Sequence, residues 1–420
     1  MTIEKSAMSE SRVLIVGGGA AGLTAAIAAA RRGAAVTVLE AGPRVGRKIL
    51  ASGNGRCNLT NVLAAPPAFN HPDFVEPVLV AYPCDEIRSF FAEMGLLTRA
   101  DDEGRVYPVT NAAGSVLDVL RLECAHLGVD VRCDFAVARI AEKPASCGFE
   151  VSSEDGRALS ASAVVVTTGG GGSLLAGLGH EMVPESPVLG PIRTDVDNIR
   201  GLSGVRIRCA AKLFVGAERD GRGGEAVASE RGELLFRDYG VSGIMVFDLS
   251  RFLRPASVVS LDYFPDVSRS QLETMLSQRC STLHWRTAET FFAGMLHDRV
   301  ARAVLRAAGI GANTPAEQMP PADLAALLKD YRLRVIGIGD ASQAQVTRGG
   351  ASVVQFDPET MASRKVDGLF AAGEALDIDG RSGGFNLHWA WASGIVAGES
   401  AARIAPAPAT DAGAGSRDSE

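Results

Sequence analysis

Near its amino terminus the chain alternates short apolar runs with glycine-rich turns, which is the pattern of a βαβ unit. Arg12–Val16 reads as a strand, GGGAAG follows as a turn, and an alanine-rich helix is predicted over Leu23–Arg32. A second strand, AVTVLE, ends at Glu40. The uncharged run from Val13 to Ala30 approaches the length of a membrane span, but its order of strand, turn and helix predicts a folded βαβ unit instead.

Two later apolar runs also end in small residues and read as buried strands. Ala161–Gly170, ASAVVVTTGG, ends in Thr-Thr-Gly-Gly. Val366–Gly373, VDGLFAAG, is followed by Glu374 and by the helical segment GGFNLHWAWASGIVAG. Continuous apolar runs of this kind are typical of parallel strands covered on both faces. The predicted fold class is therefore α/β, with a Rossmann-like domain built from distant segments of the chain.

The segment from about Pro191 to Ser342 has a different pattern. Its first part contains β-rich runs, CAAKLFVGA, GELLF, GIMVFDLS and ASVVSLDYF, separated by turn residues. Its second part has helical spacing through Arg286–Ala308, with apolar residues at Phe291, Phe292, Met295, Leu296, Val300, Val304 and Leu305. Another helix, Asp323–Tyr331, follows two prolines. We expect this stripe to be core, and the insert to be a β-rich plus helical domain that closes a substrate pocket between domains.

Composition narrows the class of protein. Of 420 residues, 46% are hydrophobic and 22% are charged, as in ordinary globular enzymes, and the net charge is −7. Nucleic-acid binding requires a basic surface, and no basic cluster occurs, so we expect no nucleic-acid partner. The seven cysteines form no CxxC pair, and the first residues lack the apolar core of a signal peptide. We therefore expect a cytoplasmic protein with reduced thiols and no membrane association.

The turn of the βαβ unit carries the strongest local chemistry. Gly17, Gly19 and Gly22 match GxGxxG: the first allows a tight turn, the second lets the backbone approach a pyrophosphate, and the third permits close helix–strand packing. Together with Ala21 they are predicted to bind a dinucleotide, because free N–H groups at a helix N-terminus face the phosphates. Glu40 stands where an acid accepts the ribose hydroxyls. A glycine-rich turn without nucleotide is the alternative.

The other two strand ends favour FAD over NAD. Flavoproteins carry a strand that ends in Thr-Gly beside FAD, which here makes Thr168 and Gly169 predicted cofactor contacts. Gly373 and Glu374 begin what looks like a carboxyl-terminal flavoprotein box, in which the acid binds the ribityl chain and the next helix points its N-terminus at the flavin. No second complete GxGxxG unit occurs, so a dedicated NAD(P) domain is not expected. The histidines show no metal-ligand spacing, and no metal site is predicted.

Four longer segments carry a more specific resemblance: GRKILASGNGRCNLTN, FRDYGVSGI, AQVTRGGASVVQFDPETMASRKVDGLFAAGEALDIDG and GGFNLHWAWASG. They resemble the BaiN/RdsA-like family of NAD(P)/FAD-dependent oxidoreductases, which includes members named aminoacetone oxidase and members linked to bile-acid reduction. The resemblance runs from about Arg12 to Ala402. It implies a discontinuous FAD-binding domain, 12–190 and 343–404, with an inserted substrate or cap domain, 191–342. We expect residues 1–11 and the low-complexity tail 405–420 to be disordered.

The resemblance also implies further cofactor contacts. The loop Arg47–Asn58 is expected to cross the FAD, because its amides, hydroxyls and glycines suit close approach to a cofactor. The implied contacts are Arg47 and Lys48 on the phosphate or adenosine side, Ser52, Asn54, Arg56, Cys57 and Asn58 near the ribityl chain and isoalloxazine, the backbone of Val137 against adenine, and Gly384, Phe385 and Asn386 at the start of the last helix.

Two residues are candidates for catalysis. His388 stands where the family is expected to have glutamine, and it either places a titratable group near the flavin or fills the glutamine's hydrogen-bonding role, which we favour. Tyr107 either donates a proton to a reduced substrate carbon or packs as an aromatic in its loop. Asp377 and Asp379 are expected to order their loop.

Cys57 raises the question of thiol chemistry. The neighbouring Arg56 could lower the pKa of its thiol, which would make the thiol reactive. However, flavin accepts two electrons without a thiol, so we favour a flavin-contacting role. The segment after Gly170 is shorter than the family leads us to expect, which puts the contacts it would make in question.

These features predict an FAD-dependent oxidoreductase. NADH or NADPH is expected as a transient co-substrate that reduces the flavin, and flavin N5 passes hydride to a small organic substrate with an activated C=C bond or similar group. An FAD-dependent amine oxidase that produces peroxide fits the same residues. A flavin-bearing binding or RNA-modifying module is the alternative from another class, and the acidic charge counts against it.

Overall fold

The computed structural model describes residues 12–143, 148–170, 173–216, 223–339 and 344–405. The ends predicted to be disordered lie outside the described residues, apart from Ala405, and so does the predicted domain boundary at Ser342. The chain divides into two compact units. An outer unit is formed by the segments up to Ser186 and from Thr347, and an inserted unit by Pro187–Val346.

The strands are β1 Arg12–Val16, β2 Ala35–Leu39, β3 Thr60–Asn61, β4 Thr98–Ala100, β5 Arg105–Pro108, β6 Asp130–Arg132, β7 Val137–Lys143, β8 Gly148–Ser153, β9 Ala158–Ala161, β10 Ala163–Val166, β11 Met182–Val188, β12 Ile192–Thr194, β13 Arg206–Val215, β14 Glu225–Phe236, β15 Gly240–Ser242, β16 Val258–Asp262, β17 Tyr331–Ile338, β18 Val346–Ala351 and β19 Leu369–Ala371. The helices are α1 Ala20–Arg31, α2 Arg47–Ala51, α3 Pro72–Ala81, α4 Cys84–Glu93, α5 Ala113–His126, α6 Ser173–Ala176, α7 Ile244–Ser250, α8 Arg269–Thr282, α9 Ala288–Phe291, α10 Asp298–Ala307, α11 Pro321–Lys329 and α12 Phe385–Ile404.

The outer unit is built on a parallel five-stranded sheet in the order β19-β10-β1-β2-β6. Strands β1, β10 and β19 lie side by side, with Val16 opposite Val166 and Val166 opposite Ala371. The three predicted strand ends therefore reach the same edge of the sheet. In open parallel sheets, ligands bind outside the carboxyl ends of the strands, so this edge is where a site is expected.

Smaller elements complete the outer unit. Two three-stranded antiparallel sheets have the orders β3-β5-β4 and β7-β8-β9, and β11 pairs with β18. Strands β1 and β10 are almost wholly buried, which explains their continuous apolar runs. The α/β, Rossmann-like fold class predicted from the sequence is confirmed.

Helix α12 packs directly on α1 because small residues face each other. A Cβ on Gly394 would lie 2.4 Å from the carbonyl oxygen of Ala21, and a Cβ on Gly398 would lie 2.1 Å from that of Ala25. No side chain fits at either distance, so only glycine permits this approach of the two backbones. The first and last helices of the unit thus form one block, which fixes their N-termini relative to each other.

The inserted unit contains a closed antiparallel barrel in the order β12-β15-β14-β13-β16-β17. It has its own core, to which the barrel residues Leu213, Leu234, Leu261 and Leu333 contribute fully buried side chains. Helices α8, α10 and α11 add apolar side chains to the same core. The prediction of a β-rich plus helical insert is confirmed.

One β-rich run in this unit is predicted wrongly. GIMVFDLS forms helix α7, in which Met245, Val246 and Leu249 are buried at helical spacing. Gly243, with a φ of +114°, precedes the helix and directs the chain out of β15. A short apolar run fits a strand or a buried helix equally well, and only tertiary packing decides between them.

The apolar stripe in Arg286–Ala308 is also interrupted. It forms α9 and α10 rather than one helix, and Gly294, with a φ of +81°, lies between them. Its role as core holds, because five of the named apolar residues are buried and two pack against the core: Phe291, Phe292, Val300, Val304, Leu305, Met295 and Leu296.

No helix within the described ranges is long and apolar enough to cross a membrane. The same residues contain no group of His, Cys, Asp and Glu side chains placed to hold a metal ion.

Candidate active site

The glycine turn between β1 and α1 is tightly packed on one side and open on the other. A Cβ on Gly17, whose φ is +109°, would lie 2.6 Å from the carbonyl oxygen of Thr167, and one on Gly22 would lie 1.9 Å from that of Gly17. A Cβ on Gly19 would meet no described atom within 4 Å. Gly17 and Gly22 are therefore required by packing, whereas Gly19 leaves room beside the N-terminus of α1, where N–H groups lack helical partners.

Thr167, which lies next to the predicted cofactor contact Thr168, holds this turn to β10. Its hydroxyl is buried and donates to the carbonyl oxygens of Val16 at 3.0 Å and Gly17 at 2.9 Å. Thr168 is exposed. The register of β10 against β1 decides that Thr167 points at the turn, and the cofactor contact predicted for Thr168 stays a prediction.

Glu40 closes the same turn from the other side. Its carboxylate accepts a hydrogen bond from the backbone N–H of Gly18 and another from that of Gly42, both at 2.8 Å. These bonds hold the predicted ribose acceptor in one orientation. Arg47 lies close by, since a Cβ on Gly42 would be 3.7 Å from its guanidinium. Val137, half-buried, begins β7 farther along the chain.

Lys48, the neighbour of Arg47 in the sequence, contacts Glu374 instead. Its ammonium donates to the Glu374 carboxylate at 2.8 Å, and the two side chains are 71% and 18% exposed. A Cβ on Gly169 would lie 3.4 Å from each of these charged atoms. Three predicted cofactor residues, from α2, from the end of β10 and from the end of β19, therefore meet at one point. Arg47 and Lys48, predicted on one side of the cofactor, are separated by the structure.

The predicted loop Arg47–Asn58 is mostly helical. Arg47–Ala51 is α2, and Ser52–Gly55 forms a 3₁₀ turn. The turn is sharp, because Asn54 and Cys57 both have a φ of +56°, a conformation that costs energy for residues with a Cβ. The polar composition of this segment did not predict the short helix α2, because only Ile49 is buried in it.

Cys57 is part of the hydrophobic core, with no exposed surface. Burial raises the pKa of its thiol to about 11, and a hydrogen bond from Ser52 only partly opposes this. The raised pKa opposes the alternative in which Arg56 activates the thiol, and the favoured flavin-contacting role stays a prediction. The Arg56 guanidinium lies over the ring of Tyr107 instead, 4.7 Å from its centre. Tyr107 is buried in β5, which places it as a packed aromatic.

Asn58 lies beside the start of α12. Its side-chain oxygen Oδ1 is buried and has no hydrogen-bond partner among the described residues. A Cβ on Gly384, whose φ is +101°, would lie 2.8 Å from this oxygen. Phe385 begins the helix directly after it. The amide of Asn386 is used within its own loop, accepting from Gly380 N at 2.8 Å and donating to the carbonyl oxygen of Gly380 at 3.0 Å.

His388 joins three elements from the second turn of α12. Its Nδ1 lies 2.6 Å from the Thr60 hydroxyl on β3, and its Nε2 lies 3.0 Å from the carbonyl oxygen of Tyr82, which ends α3. A carbonyl only accepts, so Nε2 carries the proton and Nδ1 accepts from Thr60. The side chain is fully buried, and burial lowers its pKa to about 4. This geometry favours the hydrogen-bonding role over a titrating one.

The residues at this edge of the sheet fit FAD. Gly19 leaves an open backbone beside α1 for a pyrophosphate, and the unpartnered oxygen of Asn58 is a buried acceptor that a ligand donor would satisfy. The N-termini of α1 and α12 both offer free N–H groups, and a positive end is favourable near negative charge. Gly373 packs against both helices here, since its Cβ would lie 3.0 Å from that of Ala21 on α1 and 3.9 Å from that of Ala390 on α12.

A known family shares this sequence over nearly its whole length. The family described as HI0933-like protein Rossmann domain matches residues 11–400. The chain belongs to this family. The family predicted from the sequence motifs is thereby confirmed, and with it the assignment of the protein as an FAD-dependent oxidoreductase.

Individual members of the HI0933-like family and a solved structure resemble this chain to different degrees. The 3-dehydro-bile acid delta(4,6)-reductase of Clostridium scindens is 32% identical over 93% of this chain and 99% of its own. The ribosomal RNA dihydrouridine synthase of Escherichia coli is 28% identical over 92% of this chain and 96% of its own. The structure of 3-ketosteroid-delta4-(5alpha)-dehydrogenase from Rhodococcus jostii is 15% identical, with a TM-score of 0.47, and covers 96% of this chain and 99% of its own.

Proposed function

We propose that this protein is a reductase that uses NADH or NADPH to reduce an activated C=C bond in a small organic substrate. FAD, held by the residues at this edge of the sheet, would supply the two-electron hydride chemistry that links the nicotinamide to the alkene. The relative from Clostridium scindens, which is named a reductase, supports this direction of reaction. An alkene conjugated to a carbonyl is the substrate class, because the carbonyl makes the distant carbon electrophilic enough to accept hydride.

The observation that carries the proposal is the meeting of Lys48, Gly169 and Glu374 at the edge of the sheet. Lys48 places a positive charge there, where it stabilises negative charge on a reduced cofactor. Glu374 holds Lys48 in place and leaves one carboxylate oxygen for a ribityl hydroxyl.

The other predicted contacts have separate tasks in this proposal. Gly17, Gly19 and Gly22 hold the pyrophosphate at α1, and Glu40 fixes the turn around the ribose. The N-terminus of α12, from Gly384 onward, stabilises charge on the pyrimidine side. Asn58 gives its buried oxygen to a cofactor donor. None of these tasks needs a reactive thiol at Cys57.

Anaerobic stopped-flow absorbance of the purified yellow protein tests the proposal. We expect NADH or NADPH to bleach the flavin, and an enone, 2-cyclohexen-1-one or 4-androstene-3,17-dione, to restore the colour without oxygen. Bleaching only by an amine, with peroxide formed when air is admitted, would identify an amine oxidase instead. A purified protein that carries and takes up no flavin would contradict the whole proposal.

A second candidate function is reduction of a base in RNA. The Escherichia coli relative is named a ribosomal RNA dihydrouridine synthase, which favours this candidate, whereas the net charge of −7 opposes it. Our expectation that nucleic acid is not a partner thus stays a prediction. The same stopped-flow experiment separates the two: recovery of colour by a ribosomal RNA transcript, but not by either enone, would establish the RNA substrate.

A further inference from the structure

A histidine–aspartate pair lies outside the cofactor contacts described above. His71 begins α3, and its Nε2 is 3.1 Å from Oδ2 of Asp377. The histidine side chain is 39% exposed and the aspartate 11% exposed. The other ring nitrogen, Nδ1, has no hydrogen-bond partner in the described part of the chain. One nitrogen is therefore fixed by a carboxylate and the other is available to a ligand, which is how an acid–base histidine is oriented.

The aspartate of this pair is itself held rigidly. Its Oδ1 accepts from the backbone N–H of Gly349 at 3.1 Å, and Asn70 donates from its side chain to the carbonyl oxygen of Asp377 at 3.1 Å. Asn70 also accepts from the backbone N–H of Asp379 at 3.0 Å. Turning the carboxylate away from His71 would break its bond from Gly349, and the bonds with Asn70 fix the backbone that carries it, so the imidazole has a fixed partner.

Asp377 of this pair lies within the segment that joins two parts of the candidate active site. Asp377 comes three residues after Glu374, and the same segment runs on to Gly384 at the start of α12. Phe69, two residues before His71, packs edge-on against Phe385, with ring centres 6.4 Å apart. Asp377 is thus linked to the candidate site through its own segment, and His71 through the contact of Phe69 with the start of α12.

We propose that His71, oriented by Asp377, is the catalytic acid that protonates the substrate. The inference rests on the proposed reductase function. The C=C bond gains a hydride at one carbon, with two electrons that come from NAD(P)H, and a proton at the other carbon from Nδ1–H of His71. The alkene is reduced by two electrons, the nicotinamide is oxidised by two, and the imidazole regains its proton from water.

The surroundings of His71 favour its protonated form. The hydrogen bond to Asp377 is the main cause that raises its pKa, and the charges of Asp377 and Asp379 act in the same direction, while burial opposes them. Protonation of substrate is therefore expected to slow as the pH rises through the pKa of His71.

The first test compares His71→Gln with His126→Gln, a change at an exposed histidine on α5. Glutamine can still donate to Asp377 but has no proton to transfer at this pH. We expect reoxidation of the reduced protein by the active enone to slow about 100-fold in His71→Gln and to lose its pH dependence. Bleaching by NAD(P)H, and reoxidation by ferricyanide, which needs no proton on carbon, stay within about twofold of the unchanged protein, as in His126→Gln.

Any other result would contradict either the role of His71 or the proposed function. Unchanged enone reoxidation in His71→Gln overturns the role of His71, and so does an equal slowing of bleaching and ferricyanide reoxidation, which would indicate a structural effect. If NAD(P)H does not bleach the protein without substitutions, or if no enone reoxidises it, the proposed function itself is contradicted. That result is distinct from a failure of the role of His71.

A second test does not depend on turnover. The His71 ring proton signal is followed by NMR from pH 5 to pH 9 in the FAD-loaded protein and in Asp377→Asn. We expect a titration above the ordinary histidine range that moves down in the variant. A His71 signal that does not titrate, or that Asp377→Asn leaves in place, overturns the proposal.

Discussion

The two sides of the candidate site are held in different ways. On one side, formed by the glycine turn and the start of α12, Gly22, Thr167 and His388 are enclosed by backbone or held by buried hydrogen bonds. On the other side, Lys48 is 71% exposed and held by one ion pair. Packed sites are sensitive to single atoms, whereas exposed ion pairs contribute little to stability. Substitutions on the packed side are therefore expected to lower the folding stability. A substitution at the exposed Lys48 is expected to change cofactor binding with little effect on stability.

The largest expected effect is a difference in folding stability between alanine substitutions at two glycines of the GxGxxG motif. Gly22→Ala puts a methyl group 1.9 Å from a backbone oxygen that cannot move aside, so we expect a loss of about 3 kcal/mol or more in unfolding free energy. Gly19→Ala meets open space and should change this free energy by less than about 0.5 kcal/mol while weakening FAD binding. Urea unfolding and FAD titration measure the two effects. Equal destabilisation by both changes would contradict the comparison.

The next prediction concerns pH and His388. Its pKa is lowered to about 4 by burial, so the unfolded chain takes up the proton first. The stability that neutral His388 provides is complete above about pH 6.5 and is lost as the pH falls toward 4, in total about 3 kcal/mol. Chemical unfolding at a series of pH values should show this loss, and His388→Gln should lack it. If His388→Gln and the protein without substitutions lose stability equally in acid, a group other than His388 is responsible for the loss.

A smaller effect is expected at Cys57. Cys57→Ser puts a hydroxyl in a core position, at a cost of about 1 kcal/mol, which thermal unfolding detects. Because burial raises the pKa of this thiol to about 11, iodoacetamide should leave Cys57 unmodified in the folded protein. Flavin content and bleaching by NAD(P)H should be retained in the variant. Rapid labelling of Cys57, seen by mass spectrometry, would mean that the packed side opens.

The smallest change in stability is expected at Lys48. Lys48→Gln breaks an exposed ion pair and should cost less than about 0.5 kcal/mol, like Lys143→Gln, which breaks an exposed pair with Glu150. The two variants should differ in FAD affinity, which falls only with the change at Lys48. Fluorescence titration with FAD makes this comparison, and equal affinities would remove Lys48 from the cofactor site.

Much of the fold follows from local patterns in the sequence. Arg12–Val16 and the helix after it are recognisable because apolar runs, glycines and helix formers agree within a short stretch. The family motifs add the discontinuous outer unit. The run that forms α7 escapes prediction, because a short apolar segment carries no period that separates helix from strand.

The site is only partly predictable for a related reason. The glycines and Glu374 have local signatures, but the bond between Lys48 and Glu374 joins residues 326 positions apart. His71 and Asp377 are separated by 306 positions, and neither belongs to a motif that names its partner. Such pairs depend on which strands and helices become neighbours, and a single sequence does not express that.

The close packing of α1 and α12 also has a consequence for the order in which a newly made chain can fold. The ribosome makes α1 before α12, and the whole inserted unit lies between them in the sequence. Gly394 and Gly398 must be synthesised before α12 can settle on Ala21 and Ala25. A nascent chain therefore lacks the contacts between α1 and α12 until the inserted unit and α12 have both been made.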